Sequence, residues 1–160
     1  MSLLLALALF TSAELASKNV AVKAQTNAEP QYQPVQQLFD GMREHNAEKI
    51  ANAFVKGATL VRAKQTGQLK DTNISMFASS IAKRKKDYMD EQIIDYRIET
   101  FGNMANIWTY FVFYFNGNIS HCGVNSIHVI QQDNDWKIAH LMDSAYQGNC
   151  EDFIEKYQPK

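Results

Sequence analysis

The clearest pattern of apolar and polar positions runs from Asn106 to Tyr146. Residues 107–115 are mostly Trp, Tyr, Phe, Val and Ile and contain neither Pro nor Gly, a composition typical of a β-strand. Asn116-Gly117 follows directly, and it predicts a tight hairpin turn because both residue types tolerate a positive φ. A second turn is predicted around Asp133-Asn134. The stretch is therefore interpreted as three consecutive antiparallel strands.

Regular pairing from these two turns divides the side chains between two faces, because successive residues of a strand point to opposite sides. Counting from the first turn pairs Val112 with His121, and counting from the second pairs Ile127 with His140. One face then collects Trp108, Tyr110, Val112, Tyr114, His121, Asn125, Ile127, Val129, Trp136, Ile138, His140 and Met142. The other collects Phe111, Phe113, Phe115, Cys122, Val124, Ser126, His128, Ile130, Ala139, Leu141 and Asp143.

Both predicted faces are largely apolar, although an antiparallel sheet with one solvated face needs only one apolar side. We expect the first face to line a hollow and to be covered by helices. The second face carries the stripe Phe111, Phe113 and Phe115. Because large apolar patches are rare on the surface of monomers, this stripe predicts a homodimer through the outer face of the sheet.

The preceding part of the chain shows helical spacing of apolar residues, with Pro34 and Asn46 at positions that favour helix starts. The predicted elements are a helix from Pro34 to Arg43 or Glu44, a helix over Ala47–Val55 ended by Gly57, a strand over Ala58–Lys64, a loop over Gln65–Lys70, a helix over Asn73–Lys86 capped by Asp71 or Thr72, and a strand over Gln92–Phe101. Helices followed by strands predict an α+β domain in which a curved sheet wraps around three helices. The open end of such a cone is a common place for a small-molecule site.

The length of 160 residues predicts one domain with tails. Residues 1–33 are interpreted as a signal peptide and linker, residues 34–146 as the domain, and residues 147–160 as a C-terminal tail. The apolar run in MSLLLALALFTSA is too short to span a bilayer and is typical of a secretory signal peptide, although no Lys or Arg precedes it. The chain is thus expected to be periplasmic or secreted. If the segment is only an N-terminal extension, the protein is cytoplasmic.

Cys122 and Cys150 either form a disulfide, which suits an oxidising compartment, or remain two separate thiols. A net charge of −1 and a pI near 6.4 argue against nucleic-acid binding. The basic run at residues 83–86 is interpreted as the solvated end of a helix. No cofactor is predicted, and no metal site, because His121, His140 and the carboxylates near them lack the HxH, HxxE or CxxC spacings typical of metal ligands.

The face expected to line the hollow brings together His121, Asn125 and His140. The aromatic and apolar residues predicted to frame them are Trp108, Tyr110, Tyr114 and Met142. An apolar pocket with a few inward polar groups is typical of a small-molecule site. Either histidine is a candidate for proton transfer near neutral pH, but semi-buried structural roles for both are the alternative.

Two stretches carry a family resemblance, LFDGMREHNAEKIANAFVKGATLV near the start of the domain and GVNSIHVIQQDNDWKIAHLMDS at its end. From Val35 to Tyr146 the chain resembles the nuclear transport factor 2-like superfamily, in particular its SnoaL-like branch and the secreted bacterial members of that branch. The resemblance implies a cone-shaped, cystatin-like fold. It leaves function open, because the superfamily holds isomerases, dehydratases, polyketide cyclases and non-catalytic binding proteins.

The catalytic residues of ketosteroid isomerase, a member of this superfamily, do not carry over to this chain. Leu38, Arg62 and Asn125 or Ser126 occupy the matching positions. SnoaL-type cyclases use an acidic base late in the sheet, where this chain has Asp143, but the predicted register directs Asp143 to the outer face.

We therefore expect a protein that binds a hydrophobic small molecule and has no clear catalytic set. The first alternative is a SnoaL-like isomerase, cyclase or dehydratase that acts on a hydrophobic carbonyl compound through His121 or His140. The second alternative is an interaction module whose outer aromatic face contacts a different partner.

Overall fold

Four α-helices and six β-strands make up the part of the chain that the structure, a computed structural model, describes, namely residues 29–159. After a 3-10 turn at Pro30–Tyr32, the elements are α1 (Gln33–Arg43), α2 (Ala47–Asn52), β1 (Phe54–Ala63), β2 (Leu69–Thr72), α3 (Ile74–Lys83), β3 (Met89–Phe101), β4 (Met104–Phe115), β5 (Asn118–Gln132), β6 (Asp135–Ala145) and α4 (Cys150–Tyr157). The strands form one sheet in the order β2-β1-β6-β5-β4-β3. Only the β1–β6 pair is parallel among these strands. The predicted α+β class is confirmed.

Asparagine side chains begin both α2 and α3. The Oδ1 atom of Asn46 accepts a hydrogen bond from the backbone N–H of Lys49 at 3.0 Å, so the predicted cap of α2 is confirmed. For α3 the capping residue is Asn73, whose Oδ1 accepts from Met76 N at 2.9 Å. The prediction of Asp71 or Thr72 as this cap is therefore wrong, because both residues belong to β2.

The second helix is shorter than predicted, and β1 begins earlier. The N–H of Ile138 donates to the carbonyl of Ala53 at 2.8 Å, which draws the chain into the sheet directly after α2. Gly57 does not end a helix. It lies inside β1 with φ of 84°, where the pairing with β6 shifts its register. The end of the predicted loop at 65–70 pairs with β1 as the start of β2.

Two β-bulges decide which side chains face the helices. In the first hairpin Tyr114 pairs with Ile119 as predicted, but Phe113 pairs with His121, which leaves Ser120 without a partner in β4. From that point onward the pairing is offset by one residue, and a one-residue offset transfers the partner strand to the opposite face. The predicted pairing of Val112 with His121 is wrong for this reason.

The second bulge lies in β6. Val129 pairs with Ile138 and His128 pairs with His140, so Ala139 is the additional residue. Ile127 consequently pairs with Leu141 rather than with His140. Beyond Ala139 the alternation of β6 is reversed relative to the prediction.

The sheet therefore has an inner face, which packs against α1, α2 and α3, and an outer face. Phe113 and Phe115, predicted on the outer side, pack against the main core on the inner face. Phe111 is buried with only 1% of its surface exposed, and its ring contacts His121. The phenylalanine stripe is thus not the outer surface, and its predicted role as a dimer contact is wrong.

A smaller core lies on the outer face, where α4 packs over β3, β4 and β5. Phe153 of α4 is 4% exposed, and the ring of Tyr157 stacks on Tyr110 with 4.2 Å between centroids. Cys122 and Cys150 form a disulfide that attaches the start of α4 to β5. Within residues 29–159, no helix is long and apolar enough to cross a membrane.

Candidate functional site

A cavity of about 360 Å³ lies between the helices and the inner face of the sheet, partly open to solvent. Apolar side chains from the helices line it, namely Leu38, Phe39, Met42, Phe77 and Ile81. Further apolar lining comes from the strands through Leu60, Met89, Phe113, Phe115 and Leu141. The charged and polar lining consists of Arg62, Lys70, Thr72, Arg84, Glu91, His121, Asn125 and Asp143.

Of the residues predicted for the pocket, His121 and Asn125 line this cavity. The other five lie on the outer face: Trp108, Tyr110, Tyr114, His140 and Met142. The bulge at Ser120 reverses the faces of β4 relative to His121 and Asn125. The bulge at Ala139 does the same for the end of β6.

His140 is held on the outer face, where its Nδ1 lies 2.5 Å from Thr59 Oγ1 and its ring is 5.6 Å from that of His128. The predicted pair of His121 and His140 therefore does not form a site. Asp143, which was predicted to point outward, lines the cavity instead.

Polar residues follow one another across the inner face in a single row. The register pairs Thr109 with Asn125, Asn125 with Asp143, Asp143 with Arg62, and Arg62 with Lys70. Residues paired in neighbouring strands of a sheet point to the same side, so the row is continuous from β4 to β2. Its members are buried at the β4 end, where Thr109 is 0% and Asn125 2% exposed. They become solvent-exposed towards Lys70.

The amide of Asn125 is the centre of a small hydrogen-bond network. Its Nδ2 donates to Glu91 Oε1 at 2.9 Å and to Thr109 Oγ1 at 3.1 Å. These contacts use both amide hydrogens and hold the carboxyl group of Glu91 against the sheet. Sequence reasoning missed Glu91, because the predicted strand began one residue after it.

Asp143 and Arg62 form an ion pair at the edge of the cavity. Arg62 Nε lies 2.6 Å and Nη2 2.5 Å from the same carboxylate oxygen, Oδ2. The side chain of Asp143 is 12% exposed, whereas that of Arg62 is 45% exposed. The pair therefore extends from the buried part of the polar row to solvent.

Two ionisable groups of the cavity have shifted pKa values. The pKa of Glu91 is raised from 4.5 to about 7, mainly because its carboxyl group is removed from water and also because Asp143 is negatively charged, and the hydrogen bond from Asn125 acts in the opposite direction. Burial lowers the pKa of the His121 imidazole below 6.5, and the positive charge of Arg62 lowers it further. The cavity therefore holds a carboxyl group that ionises near neutral pH and a neutral imidazole.

Residues 29–159 contain no group of three or more His, Cys, Asp or Glu side chains arranged to hold a metal ion. The chemistry that the cavity offers is that of hydrogen bonds, apolar contact and proton exchange. Its acceptors are carboxylate and amide oxygens, and its donors are arginine, lysine and histidine nitrogens.

The family model described as "Putative lumazine-binding" matches residues 32–142, which cover more than half of the chain and include every residue of the polar row except Asp143. The chain belongs to this family. It shares its fold with solved structures described as nuclear transport factor 2-like, which confirms, at the level of the fold, the resemblance noted from the sequence. No curated protein matches it in sequence.

Solved structures similar to this family member share its fold at low sequence identity. A protein of unknown function from Mycobacterium tuberculosis is 14% identical, with a TM-score of 0.61, covering 76% of this chain and 73% of its own. A nuclear transport factor 2-like protein with a cystatin-like fold from Novosphingobium aromaticivorans is 10% identical, with a TM-score of 0.58, covering 74% and 81%. A "Putative Scytalone Dehydratase" from the same organism is 11% identical, with a TM-score of 0.58, covering 72% and 80%. These likenesses establish the cystatin-like cone.

Proposed function

We propose that this protein binds a hydrophobic small molecule in the cavity between the helices and the inner face of the sheet. The observation that carries the proposal is an apolar cavity of about 360 Å³ with polar groups concentrated in one row on its sheet side. A volume in this range suits a small organic ligand, and the few polar groups would fix its orientation. The description of the matched family as lumazine-binding supports the same class of function.

Neighbouring residues on opposite faces of β6 provide a test of this proposal. Leu141 lines the cavity, and Met142 points outward. Native mass spectrometry of the protein purified from its own host should detect a co-purifying small molecule. Leu141→Trp fills the cavity and should abolish that signal, whereas Met142→Trp should retain it. Circular dichroism establishes that both variants fold. If both variants fold and carry the same amount of ligand, the ligand does not bind in this cavity and the proposal is wrong.

A second candidate function, proton transfer on a hydrophobic carbonyl compound, is favoured by the presence of Glu91 and His121 in one cavity. A carboxyl group with a pKa of about 7 can donate or accept a proton at neutral pH, and a neutral imidazole can accept one. The similar fold of a protein described as a dehydratase is compatible with this chemistry.

The two candidates differ in what His121→Ala and Glu91→Gln should do. For a binding protein, an apolar ligand keeps most of its affinity in both variants. For an enzyme, turnover of the ligand identified by mass spectrometry falls by about 100-fold or more in at least one variant, the usual contribution of general acid–base catalysis. His140→Ala, on the outer face, is the matched control and should leave turnover unchanged. If wild-type protein leaves the ligand chemically unaltered, the enzyme candidate is excluded.

We further propose that the protein works in the periplasm or outside the cell and forms a homodimer. The Cys122–Cys150 disulfide supports an oxidising compartment. The signal peptide interpreted from the sequence lies outside the described residues, and N-terminal mass spectrometry of the exported protein would test it.

Support for the dimer comes from the outer face, where Trp108 is 39% exposed between Arg97 and Ser126 on the neighbouring strands.

A further inference from the structure

Three oxygen atoms on the sheet side of the cavity are hydrogen-bond acceptors without a partner among residues 29–159. Asn125 donates both of its amide hydrogens, to Glu91 and to Thr109. Its Oδ1 atom accepts no hydrogen bond from the described residues. The second carboxylate oxygen of Glu91, Oε2, has no donor in the described chain. Both contacts from Arg62 go to Oδ2 of Asp143, so Oδ1 of Asp143 is also unpaired. We call these three oxygens the acceptor cluster.

The acceptor cluster belongs to the buried part of the cavity. Asn125 is 2% exposed and Asp143 9% exposed, and both line the cavity. The three oxygens are not buried as unpaired atoms, because they open onto the cavity; a ligand that fills the cavity buries them, and it must supply donors to avoid the cost of leaving buried acceptors unpaired. Asn125 is itself held by Glu91 and Thr109, which fixes the direction of its carbonyl. The cluster is therefore a preorganised set of acceptors.

The cationic donors of the cavity are placed differently, whereas the neutral imidazole of His121 lies half-buried inside it. Arg62, Lys70 and Arg84 line it but are exposed to solvent, so their charged groups lie at its opening. Arg62 is paired with Asp143 and Arg84 with Asp87, whereas Lys70 has no carboxylate within ion-pair distance in the described part of the chain. The cavity thus has acceptors inside and cations at the opening.

We propose that the ligand is a planar aromatic molecule that presents adjacent N–H or O–H donors to the acceptor cluster. Its carbonyl or anionic groups face the cations at the opening. The aromatic rings of Phe39, Phe77 and Phe113 in the cavity lining suit a flat apolar body between the two ends. This inference rests on the proposed binding function and names the hydrogen-bond polarity of its ligand. It predicts that molecules without inward donors are rejected even when their shape fits, because they leave buried acceptors unpaired.

A matched series on one aromatic skeleton tests this polarity. Naphthalene-2,3-diol carries two adjacent donors, its dimethyl ether carries none, and naphthalene has neither donors nor added bulk. Binding is measured by ligand fluorescence at about pH 8, where Glu91 is ionised. We expect the diol to bind at least about tenfold more tightly than either other compound, as unpaired buried acceptors penalise both. Equal or tighter binding of naphthalene, which is the most hydrophobic of the three, would overturn the inference.

A protein variant tests whether the preference for the diol arises at the acceptor cluster. Asn125→Leu removes the central acceptor with little change in side-chain volume. It should lower the affinity for the diol to that for naphthalene and leave naphthalene binding in place. Ser126→Ala, at the next residue but on the outer face, should bind all three compounds as the wild-type protein does. If Asn125→Leu keeps the full preference for the diol, the cluster does not select the ligand and the inference is wrong.

The ligand series on wild-type protein remains decisive should Asn125→Leu fail to fold. Similar binding of all three compounds would mean that the cavity binds aromatic molecules without selecting donors. The proposed function would then stand and only this inference would fall. Absence of binding by all three would count against both.

Discussion

At the scale of single residues, Glu91 is a carboxyl group that is largely removed from water. It lies in an apolar cavity beside the negative charge of Asp143, with one hydrogen bond from Asn125. These surroundings favour the neutral acid, which raises its pKa to about 7. A buried carboxyl group with a raised pKa lowers the free energy of unfolding at neutral pH, and such groups are often found at functional sites.

The stability of the protein should therefore decrease as Glu91 ionises. Between a pKa of 4.5 in the unfolded chain and about 7 in the folded state, the folded protein binds more protons, so the free energy of unfolding falls as the pH rises. Above about pH 7 the loss is of the order of 3 kcal/mol, since one pKa unit corresponds to about 1.4 kcal/mol. Glu91→Gln removes this dependence. Urea denaturation of both proteins between about pH 5 and about pH 8 should show the variant gaining relative stability with pH. A difference that stays constant with pH would refute the argument.

The imidazole of His121 should titrate below 6.5, because burial and the charge of Arg62 both disfavour its protonated form. In contrast to Glu91, this lowered pKa makes the folded state bind fewer protons, so protonation of His121 destabilises the protein as the pH falls below 6.5. An NMR titration of the ring protons measures the pKa directly. Arg62→Gln should move it upward, since that change removes a nearby positive charge. An unchanged titration in this variant would show that Arg62 has no effect on the ring.

At the scale of elements, two β-bulges decide which side chains line the cavity. Ser120 and Ala139 are the bulge residues of β5 and β6, and each reverses the side-chain alternation relative to the neighbouring strand. The turns at 116–117 and 133–134 were predicted at the correct positions, and the pairing next to each turn is regular. The error therefore arose inside the strands, at Ser120 and Ala139, where neither the bulge residue nor its immediate neighbours are the Gly or Pro that would indicate a bulge.

The helix α4 is attached covalently to β5 at its first residue. It spans only Cys150–Tyr157, and short isolated helices are marginal in water. The disulfide to Cys122 joins residues separated by 28 positions, and a cross-link of this kind lowers the conformational entropy of the unfolded chain. Cys122→Ala with Cys150→Ala should lower the free energy of unfolding by about 2 to 4 kcal/mol, measured by urea denaturation. Addition of a reductant should reproduce this loss in the wild-type protein and have no effect on the double variant. A wild-type protein indifferent to reductant would contradict the prediction.

At the scale of the whole molecule, the two faces of the sheet are covered in different ways. Its inner face forms the cavity with the helices, and α4 covers one part of its outer face. The remaining outer surface includes Trp108 and the adjacent rings of His128 and His140. The proposed homodimer would use this surface.

A charge at the centre of that surface should prevent the proposed dimer from forming. Trp108→Glu places a carboxylate where two copies would meet, and burial of an unpaired charge is strongly unfavourable. Sedimentation equilibrium should give a dimer for the wild-type protein and a monomer for the variant. Ligand binding should be unchanged, because Trp108 does not line the cavity. A monomeric wild-type protein would exclude the homodimer.

Much of the architecture was predictable because it depends on local patterns. The spacing around Val35 and Leu38, the cap at Asn46 and the turn at Asn116-Gly117 each act over a few residues. The pocket was harder to predict, since it requires correct side-chain directions in several strands at once. His121 and Asn125 were identified, whereas Glu91 and Asp143 were missed or assigned to the wrong face.

The sequence by itself determined the α+β class, the order of the main helices and strands, and the presence of an aromatic-rich sheet, because propensity, capping and turn chemistry are local. Tertiary structure alone decided which face of that sheet closes the cavity. A bulge is a property of two strands pairing, and it changes the direction of every later side chain without changing the composition of either strand. For that reason the buried row of Thr109, Asn125 and Asp143 emerged only once the strands were paired.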